Sequence, residues 1–437
     1  MNNDDRNRDR QPGFRTWRWV ILVLMALVVL VSVLTLIGRN SVKRRLAALR
    51  AAGYPTNFTE LAEYHKLPEG TPNAADVYER AFAAFVEPAS VTNIPQYGTA
   101  ALPERGSPPP EPMVKAIAQW LAENQQCLAL LHEAAGIEHC RYDCDYRQGP
   151  PYGKEVKSCA YLLSAGTLVH AHAGDANAVV TCIKDGLRLA NSLQNEPALV
   201  SHLMATACHA LAIAGFERSL SLTRFTDRQL AELGDALADI AGTLDLTPAL
   251  VGERCFMIEA CRRPSLVSVR RGIDVLIQLP GVRQRGLMDA LDYMEDCLTA
   301  IQQPEAERQA AFQEAEKKVR ELSILHPMIK IMAPALNRVV VLDLRFRATL
   351  DRARAAVAIE RYRLATGRLP DQLEGLVPKL LERVPSDPFD GQPLRYRRTD
   401  PGYILYSVGE DGHDDGGRER DPKNPTAPYD WPFIVRR

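Results

Sequence analysis

The sequence has almost no excess of charge of either sign, because 53 lysines and arginines face 54 aspartates and glutamates. Proteins that bind nucleic acid generally are usually basic, so this balance argues against nucleic acid as a partner. The apolar share of 46% and the charged share of 24% are typical of globular proteins. They exclude a wholly disordered or collagen-like chain, and the length allows two or three domains.

Short motifs that signal catalysis are also missing. The sequence has no His-Glu-x-x-His helix, no phosphate-binding glycine loop, no Gly-x-Ser-x-Gly elbow and no dinucleotide fingerprint. We therefore predict that the protein is not an enzyme. The alternative is a hydrolase-type enzyme whose catalytic groups lie far apart in sequence and converge only in the fold.

Cysteine is sparse, with nine residues between Cys127 and Cys297 and none in the last 140 residues. Most lie in apolar helical patterns, which predicts free core thiols rather than a disulfide framework. In the segment 139–153, His139, Cys140 and Cys144 suggest three alternatives. They are a metal site, a disulfide between the two cysteines, or a structural loop anchored by tyrosines.

The histidines in the helical patterns show no ligand spacing. His170 and His172 are two residues apart and point to different sides of a helix, so they cannot share a metal there. His202 and His209 are seven apart and can face the same side. Since neither has an acidic residue nearby in sequence, we expect both to be ordinary core or surface residues.

One long apolar run is present, from Trp19 to Ile37, and it contains no charged residue. As a helix it would extend roughly 28 Å, close to the thickness of the hydrocarbon core of a bilayer. The run is longer than the apolar part of a signal peptide and no small-x-small cleavage site follows it. We predict a transmembrane helix over 17–38, preceded by a cytoplasmic tail over 1–16.

The orientation of this helix does not follow from charge, because five basic residues flank the apolar run on each side. A short cytoplasmic tail with the large body outside is the default for a single N-terminal anchor. We therefore predict a single-pass protein of the inner (cell) membrane with the bulk of the chain extracytoplasmic.

The body over 39–330 is predicted to be an α-helical domain, because apolar residues recur at three and four positions. A proline-rich stretch, 94–112, interrupts it as a surface loop. Around Gly174 and Asp175 the pattern resembles one tetratricopeptide-type hairpin, within an irregular helical array. The predicted helices are 113–134, 155–173, 176–194, 197–221, 226–242, 246–263, 285–302 and 304–324.

The last hundred residues predict a small α+β domain over 331–437. A long helix, 334–365, ends at Gly367, and two alternating segments, PLRYRRT and GYILYSVG, flank the turn at 400–402. Together these patterns indicate one helix packed on a small antiparallel sheet. The predicted fold class is therefore mainly α, with an N-terminal transmembrane helix, a helical array and this C-terminal unit.

Four segments near the C-terminus are shared in order and spacing with a known family: AIERYRLATGRLP, LEGLVP, VPSDPFDGQPLRY and YILYSVGEDG. This region resembles the C-terminal domain of major pseudopilins of type II secretion systems. The remainder resembles membrane-anchored helical proteins of planctomycete-type bacteria. The anchor lies about 300 residues upstream of the module and no pseudopilin leader site is present, so we do not expect a processed, fibre-forming pilin.

The resemblance implies calcium binding in the loop that follows the last paired strands. Asp411 matches an Asp-Gly position of that family, Asp430 is the match for a second carboxylate, and Asp414 and Asp415 are alternatives. Calcium takes several carboxylate and carbonyl oxygens as ligands. A solvated acidic loop is the alternative interpretation.

From these features we expect a membrane-anchored extracytoplasmic interaction or scaffold protein, with protein partners in the cell envelope. An accessory subunit of a secretion apparatus is a further alternative, implied only by the shared module.

Overall fold

The structure is a computed structural model that describes residues 14–64, 66–149, 152–194, 196–263, 281–323, 326–421, 423–424 and 426–437. It is mainly helical with a small antiparallel sheet near the C-terminus, which confirms the predicted fold class. The helices are α1 (Phe14–Ala51), α2 (Phe58–Glu63), α3 (Ala74–Ala84), α4 (Glu111–Glu123), α5 (Gln125–Ala135), α6 (Gly153–His172), α7 (Ala176–Asn191), α8 (Leu199–Leu222), α9 (Asp227–Thr243), α10 (Thr247–Arg262), α11 (Val282–Ala300), α12 (Glu305–Glu321) and α13 (Pro327–Thr366).

The N-terminal helix α1 carries the apolar run and continues well beyond it to Ala51. From Trp17 to Ile37 the large apolar side chains that the structure describes are 45% to 69% exposed. In length and composition α1 can cross a membrane, and a signal sequence would meet the same test. Helix α8 also meets that test, but it lies in the core, between α6, α7 and α13.

The predicted helix 113–134 is two helices, because the chain leaves the helical path at Asn124. This side chain is fully buried and bonds to the backbone of the segment after α3. Its Oδ1 accepts from Val86 N at 2.8 Å, and its Nδ2 donates to Val86 O at 2.9 Å. Asparagine readily satisfies backbone groups outside a helix, so it ends α4 here.

Helices α6 and α7 form the predicted hairpin. Gly174 has a φ of +76°, and the Asp175 side chain caps α7 by accepting from Ala178 N at 3.0 Å. Glycine reaches this left-handed conformation without steric cost, and aspartate is a favoured N-cap. The other long helices of the body match the predicted ranges to within three residues at either end.

The longest helix, α13, starts before the predicted domain boundary at 330/331 and runs through it. It packs on α8, α9, α11 and α12 as well as on the sheet. One continuous apolar core contains Phe216 of α8, Leu350 of α13 and Phe433 near the C-terminus. The C-terminal unit therefore shares its core with the helical body.

The sheet has three antiparallel strands in the order β1 (Arg395–Arg398), β2 (Tyr403–Ser407) and β3 (Trp431–Val435). The turn between β1 and β2 lies at 399–402, as predicted. The sequence did not predict β3, which contains Pro432. Proline is tolerated because β3 is an edge strand, where a missing N–H breaks no ladder between two neighbours.

Candidate functional site

The acidic loop between β2 and β3 is built around Asp430, which is 1% exposed. Its Oδ2 accepts from Gly417 N at 2.6 Å and from Asp415 N at 3.0 Å. Burial raises the pKa of Asp430, and the nearby carboxylates of Asp414 and Asp415 add to this rise. The loop thus holds two carboxylates close to a third, buried one.

Two carboxylate oxygens of this loop are buried without a hydrogen-bond partner among the described residues, Asp430 Oδ1 and Asp415 Oδ2. Buried polar atoms normally have a partner, so each of these two oxygens has an unused capacity to accept one. Asp414 and Asp415, which were named as alternative calcium ligands, lie near Asp430. Both oxygens fit the hard donor set that calcium prefers.

Asp411 contributes differently from the other three. It is exposed and its Oδ1 accepts from His413 N at 3.1 Å, within its own turn. In the part of the chain that the structure describes, no three His, Cys, Asp or Glu side chains are arranged to hold a metal ion. Calcium binding by the four predicted residues therefore stays a prediction.

A second aspartate organises the same end of the sheet. Asp387 is fully buried and accepts from Ser407 Oγ and Val408 N, both at 2.8 Å. It also lies 3.2 Å from the guanidinium of Arg395. This arrangement connects the loop before β1 to the end of β2. Asp387, in the segment VPSDPFDGQPLRY, therefore has a structural role here.

The segment 139–149 is a loop anchored on Glu196. That carboxylate is 1% exposed, pairs with Arg141, and accepts from Tyr146 Oη at 2.7 Å and Tyr142 N at 3.0 Å. This network favours the structural-loop interpretation. Burial raises the pKa of Cys144 to about 11, which disfavours the nucleophilic thiolate at neutral pH.

All nine cysteines are free thiols in the structure, and six of them are buried. Cys140 and Cys144 are among the three that are partly exposed, and they are not bonded to each other. The Sγ atoms of Cys127 on α5 and Cys159 on α6 lie 3.9 Å apart in the core. The cysteines thus lie mostly where small apolar residues would.

A buried polar network that the sequence did not predict lies between α8 and α13. His202 Nε2 is 3.0 Å from Asp343 Oδ1, and both residues are 1% exposed. Arg347 donates to Asp343 Oδ2 at 2.8 Å and to the backbone oxygen of Leu244 at 3.0 Å. Because 141 positions separate His202 from Asp343, no local pattern could reveal this pairing.

Two turns further along α8, His209 is also buried and lacks such a partner among the described residues. Its ring stacks on Phe346, with centroids 5.2 Å apart. Both ring nitrogens are buried and have no hydrogen-bond partner among the described residues. Burial lowers the pKa of His209 to about 3, so its imidazole is neutral and acts as a core ring.

A polar groove between α5, α7 and α9 carries a second histidine–aspartate pair. His132 Nδ1 lies 3.1 Å from both carboxylate oxygens of Asp185, and a groove of about 520 Å³ adjoins them. Burial raises the pKa of Asp185, although His132 partly offsets this. The described lining also includes the hydroxyls of Thr181 and Thr226.

Comparisons of the chain with protein-family models, with characterised proteins and with solved structures find no match. The interpretation of function therefore depends on the geometry of this chain.

Proposed function

We propose that this protein is a single-pass membrane protein whose body lies outside the cytoplasm and acts as a non-enzymatic interaction or scaffold unit in the cell envelope. The observation that carries the proposal is α1, whose large apolar side chains from Trp17 to Ile37 are 45% to 69% exposed where the structure describes them. Exposure of so long an apolar surface to water is unfavourable, and a bilayer would cover it.

The junction between α1 and the body supports a retained anchor. Just beyond the apolar run, Gly38 lies against Gln284, so that a Cβ at Gly38 would be 3.3 Å from the Gln284 Cβ. Arg45 then pairs with Asp292, at 3.2 Å, and with Glu295 on α11, and Leu46 is buried in the core. The helix thus passes from the apolar run into the fold without a break, unlike the cleavable end of a signal peptide.

This junction also places basic groups beside the end of the apolar run. Arg283 and Arg285, in the first turn of α11, are exposed and neighbour Gln284. Arg39 and Lys43 of α1 are exposed as well. Cationic side chains at this level would attract anionic lipid headgroups, so the face of the body around the start of α11 would lie against the membrane.

Carbonate extraction at high pH tests the anchor. We expect the full chain to remain in the membrane pellet. The double variant Leu24→Arg, Val28→Arg should move to the supernatant, because each arginine near the bilayer centre costs about 2.5–3.5 kcal/mol. The matched control is Leu364→Arg, an apolar residue that is 50% exposed on α13, which should stay in the pellet.

Release of the wild-type chain by carbonate would contradict the anchor. A mature protein that begins after the apolar run, as a processed signal peptide would leave it, would contradict the anchor as well. For the orientation, a periplasm-active reporter fused after Arg437 should be active. Activity of a reporter that functions only in the cytoplasm would show that the body lies inside.

We further propose that the loop 409–430 binds calcium, on the basis of the orphaned oxygens of Asp430 and Asp415. The carboxylates of Asp430 and Asp415 would hold the ion, which would offset their mutual repulsion. In the full chain, millimolar calcium should raise the melting temperature by about 1–3 °C relative to chelator, through ligand linkage. Asp430→Asn should abolish that increment.

The matched control for calcium is Asp421→Asn in the same loop, because the Asp421 side chain is exposed and accepts from Lys423 N within its own turn. This variant should keep the calcium-dependent increment. Equal melting temperatures of the wild type in calcium and in chelator would instead support the solvated-loop interpretation.

A further inference from the structure

A cavity of about 330 Å³ lies between α2, the start of α8 and α10, apart from the acidic loop. Three aromatic rings form much of its wall, those of Phe58, Tyr146 and Phe256. The centroids of Phe58 and Phe256 are 6.5 Å apart, with the ring planes at 45°. A volume of this size falls within the usual range for small organic ligands, roughly 300–1,000 Å³.

The wall also contains one carboxylate, Glu253 of α10. Among the described residues it has neither a hydrogen bond nor an ion pair, whereas Glu259 on the same helix pairs with Arg262 at 2.9 Å. Burial alone raises the pKa of Glu253 to about 7. A carboxylate in a largely apolar wall without a partner from the described residues can take a cationic partner from outside.

The Tyr146 hydroxyl and the Arg147 guanidinium beside the cavity are engaged with other residues. Tyr146 directs its hydroxyl away, to Glu196 at 2.7 Å, so its ring and not its oxygen faces the cavity. Arg147 at the rim donates to Thr59 at 3.0 Å and lies 3.5 Å from Asp145. Arg254, next in sequence, stacks on the Tyr54 ring at 4.9 Å. None of these described groups neutralises Glu253.

We propose that this cavity binds a small organic ammonium ion, with its positive charge at Glu253 and its apolar body against the wall that Phe58 and Phe256 form together. Aromatic faces attract desolvated cations by about 2 kcal/mol or more, and most strongly when they enclose a quaternary ammonium. The carboxylate supplies the charge that selects a cation over a neutral or anionic molecule. A metal ion would need several oxygen ligands, which this apolar wall does not offer.

The rigidity of the wall supports a preformed site. Gly252 precedes Glu253 on α10, and a Cβ at Gly252 would stand only 1.7 Å from the Pro197 backbone oxygen. Helix α10 and the segment before α8 are therefore in direct backbone contact beside the cavity. A preformed pocket avoids much of the ordering cost of binding.

Titration calorimetry of the full chain in maltoside micelles tests the proposal with phenyltrimethylammonium as the probe. Its neutral isostere tert-butylbenzene and the anion benzoate serve as comparisons. At pH 8 we expect the cation to bind at least tenfold more tightly than either comparison molecule. Glu253→Gln should weaken binding of the cation at least tenfold and leave the affinity for tert-butylbenzene unchanged.

The matched control is Glu259→Gln, which removes a carboxylate from the same helix outside the cavity and should keep the wild-type affinity. Between pH 6 and pH 8 the wild type should gain about tenfold in affinity as Glu253 ionises, whereas Glu253→Gln should show no such gain. A second variant, Val200→Trp, fills the mouth of the cavity at a residue that is 55% exposed and should abolish binding of the cation while Glu253 is intact.

Equal affinity of the wild type for the cation and its neutral isostere would overturn the proposal, as would tighter binding of benzoate. So would wild-type affinity for the cation in both Glu253→Gln and Val200→Trp. Each result is independent of the anchor and of the calcium loop, because neither contributes to the cavity wall.

Discussion

Gly252→Ala is expected to destabilise the folded chain by about 3 kcal/mol, at the upper end of the usual cost of overpacking a core. The added Cβ would stand 1.7 Å from the oxygen and 2.5 Å from the carbonyl carbon of Pro197. Both atoms belong to the backbone, so no side-chain rotation relieves the overlap. Helix α10 and the start of α8 would have to move apart.

The matched control is Gly242→Ala, in the last turn of α9. A Cβ at Gly242 meets nothing within 4 Å, so alanine should stabilise the chain by about 0.5–1 kcal/mol through its higher helix propensity. The two variants make the same chemical change, and urea denaturation followed by circular dichroism compares them. A Gly252→Ala variant as stable as Gly242→Ala would mean that the close approach is absent.

The second large effect is expected at the network between α8 and α13. Asp343→Asn should destabilise the chain by about 3–5 kcal/mol, because it leaves the buried guanidinium of Arg347 without its main counter-charge. The matched control is Glu305→Gln, which removes the other carboxylate on Arg347, 3.0 Å away. The Glu305 side chain is 37% exposed, so this variant should cost about 1 kcal/mol or less.

The same network predicts a pH dependence. Burial by itself would raise the pKa of Asp343, but the His202 hydrogen bond and the Arg347 charge outweigh burial and lower that pKa to about 2. A carboxyl with a depressed pKa stabilises the fold above its unfolded value of about 3.9, and this stabilisation disappears as the pH falls through 2. The stability difference between wild type and Asp343→Asn should therefore be constant above pH 5 and shrink steadily below pH 4.

Denaturation curves for both proteins across pH 2–7 would check this dependence. Other groups, including His209, also lose stabilisation in acid, and the difference between the two proteins removes their shared contribution. A difference that stays constant down to pH 2 would show that Asp343 does not carry its charge as described.

Much of the fold could be predicted from local patterns. The apolar run at Trp19, the turn at Gly174 and the strand pair around 400–402 depend on neighbours in sequence, so periodicity and turn chemistry suffice to locate them. The break at Asn124 could not be found in this way, because it depends on the backbone of Val86 across the fold. Strand β3 was missed because Pro432 argues against a strand unless its edge position is known.

The candidate sites divide in the same manner. Asp430 was chosen from the sequence, and it lies buried near the more exposed Asp414 and Asp415, whereas Asp411 accepts from His413 N within its own turn. The pairing of His202 with Asp343 and the isolation of Glu253 in an aromatic wall had no local signal. Both depend on which helices pack together, and helix packing brings together residues that lie far apart in sequence.

The sequence by itself determined the near-zero net charge, the apolar N-terminal helix, the helical body and the turn-rich acidic end, because each is a local property of composition or periodicity. The tertiary structure decided that the last hundred residues share one core with α7, α8 and α9, and that an unpaired carboxylate faces a cavity. The physical reason is that close packing between distant segments determines which groups are buried and which are paired. Burial and pairing in turn determine the pKa of an ionisable group in the interior and its effect on stability.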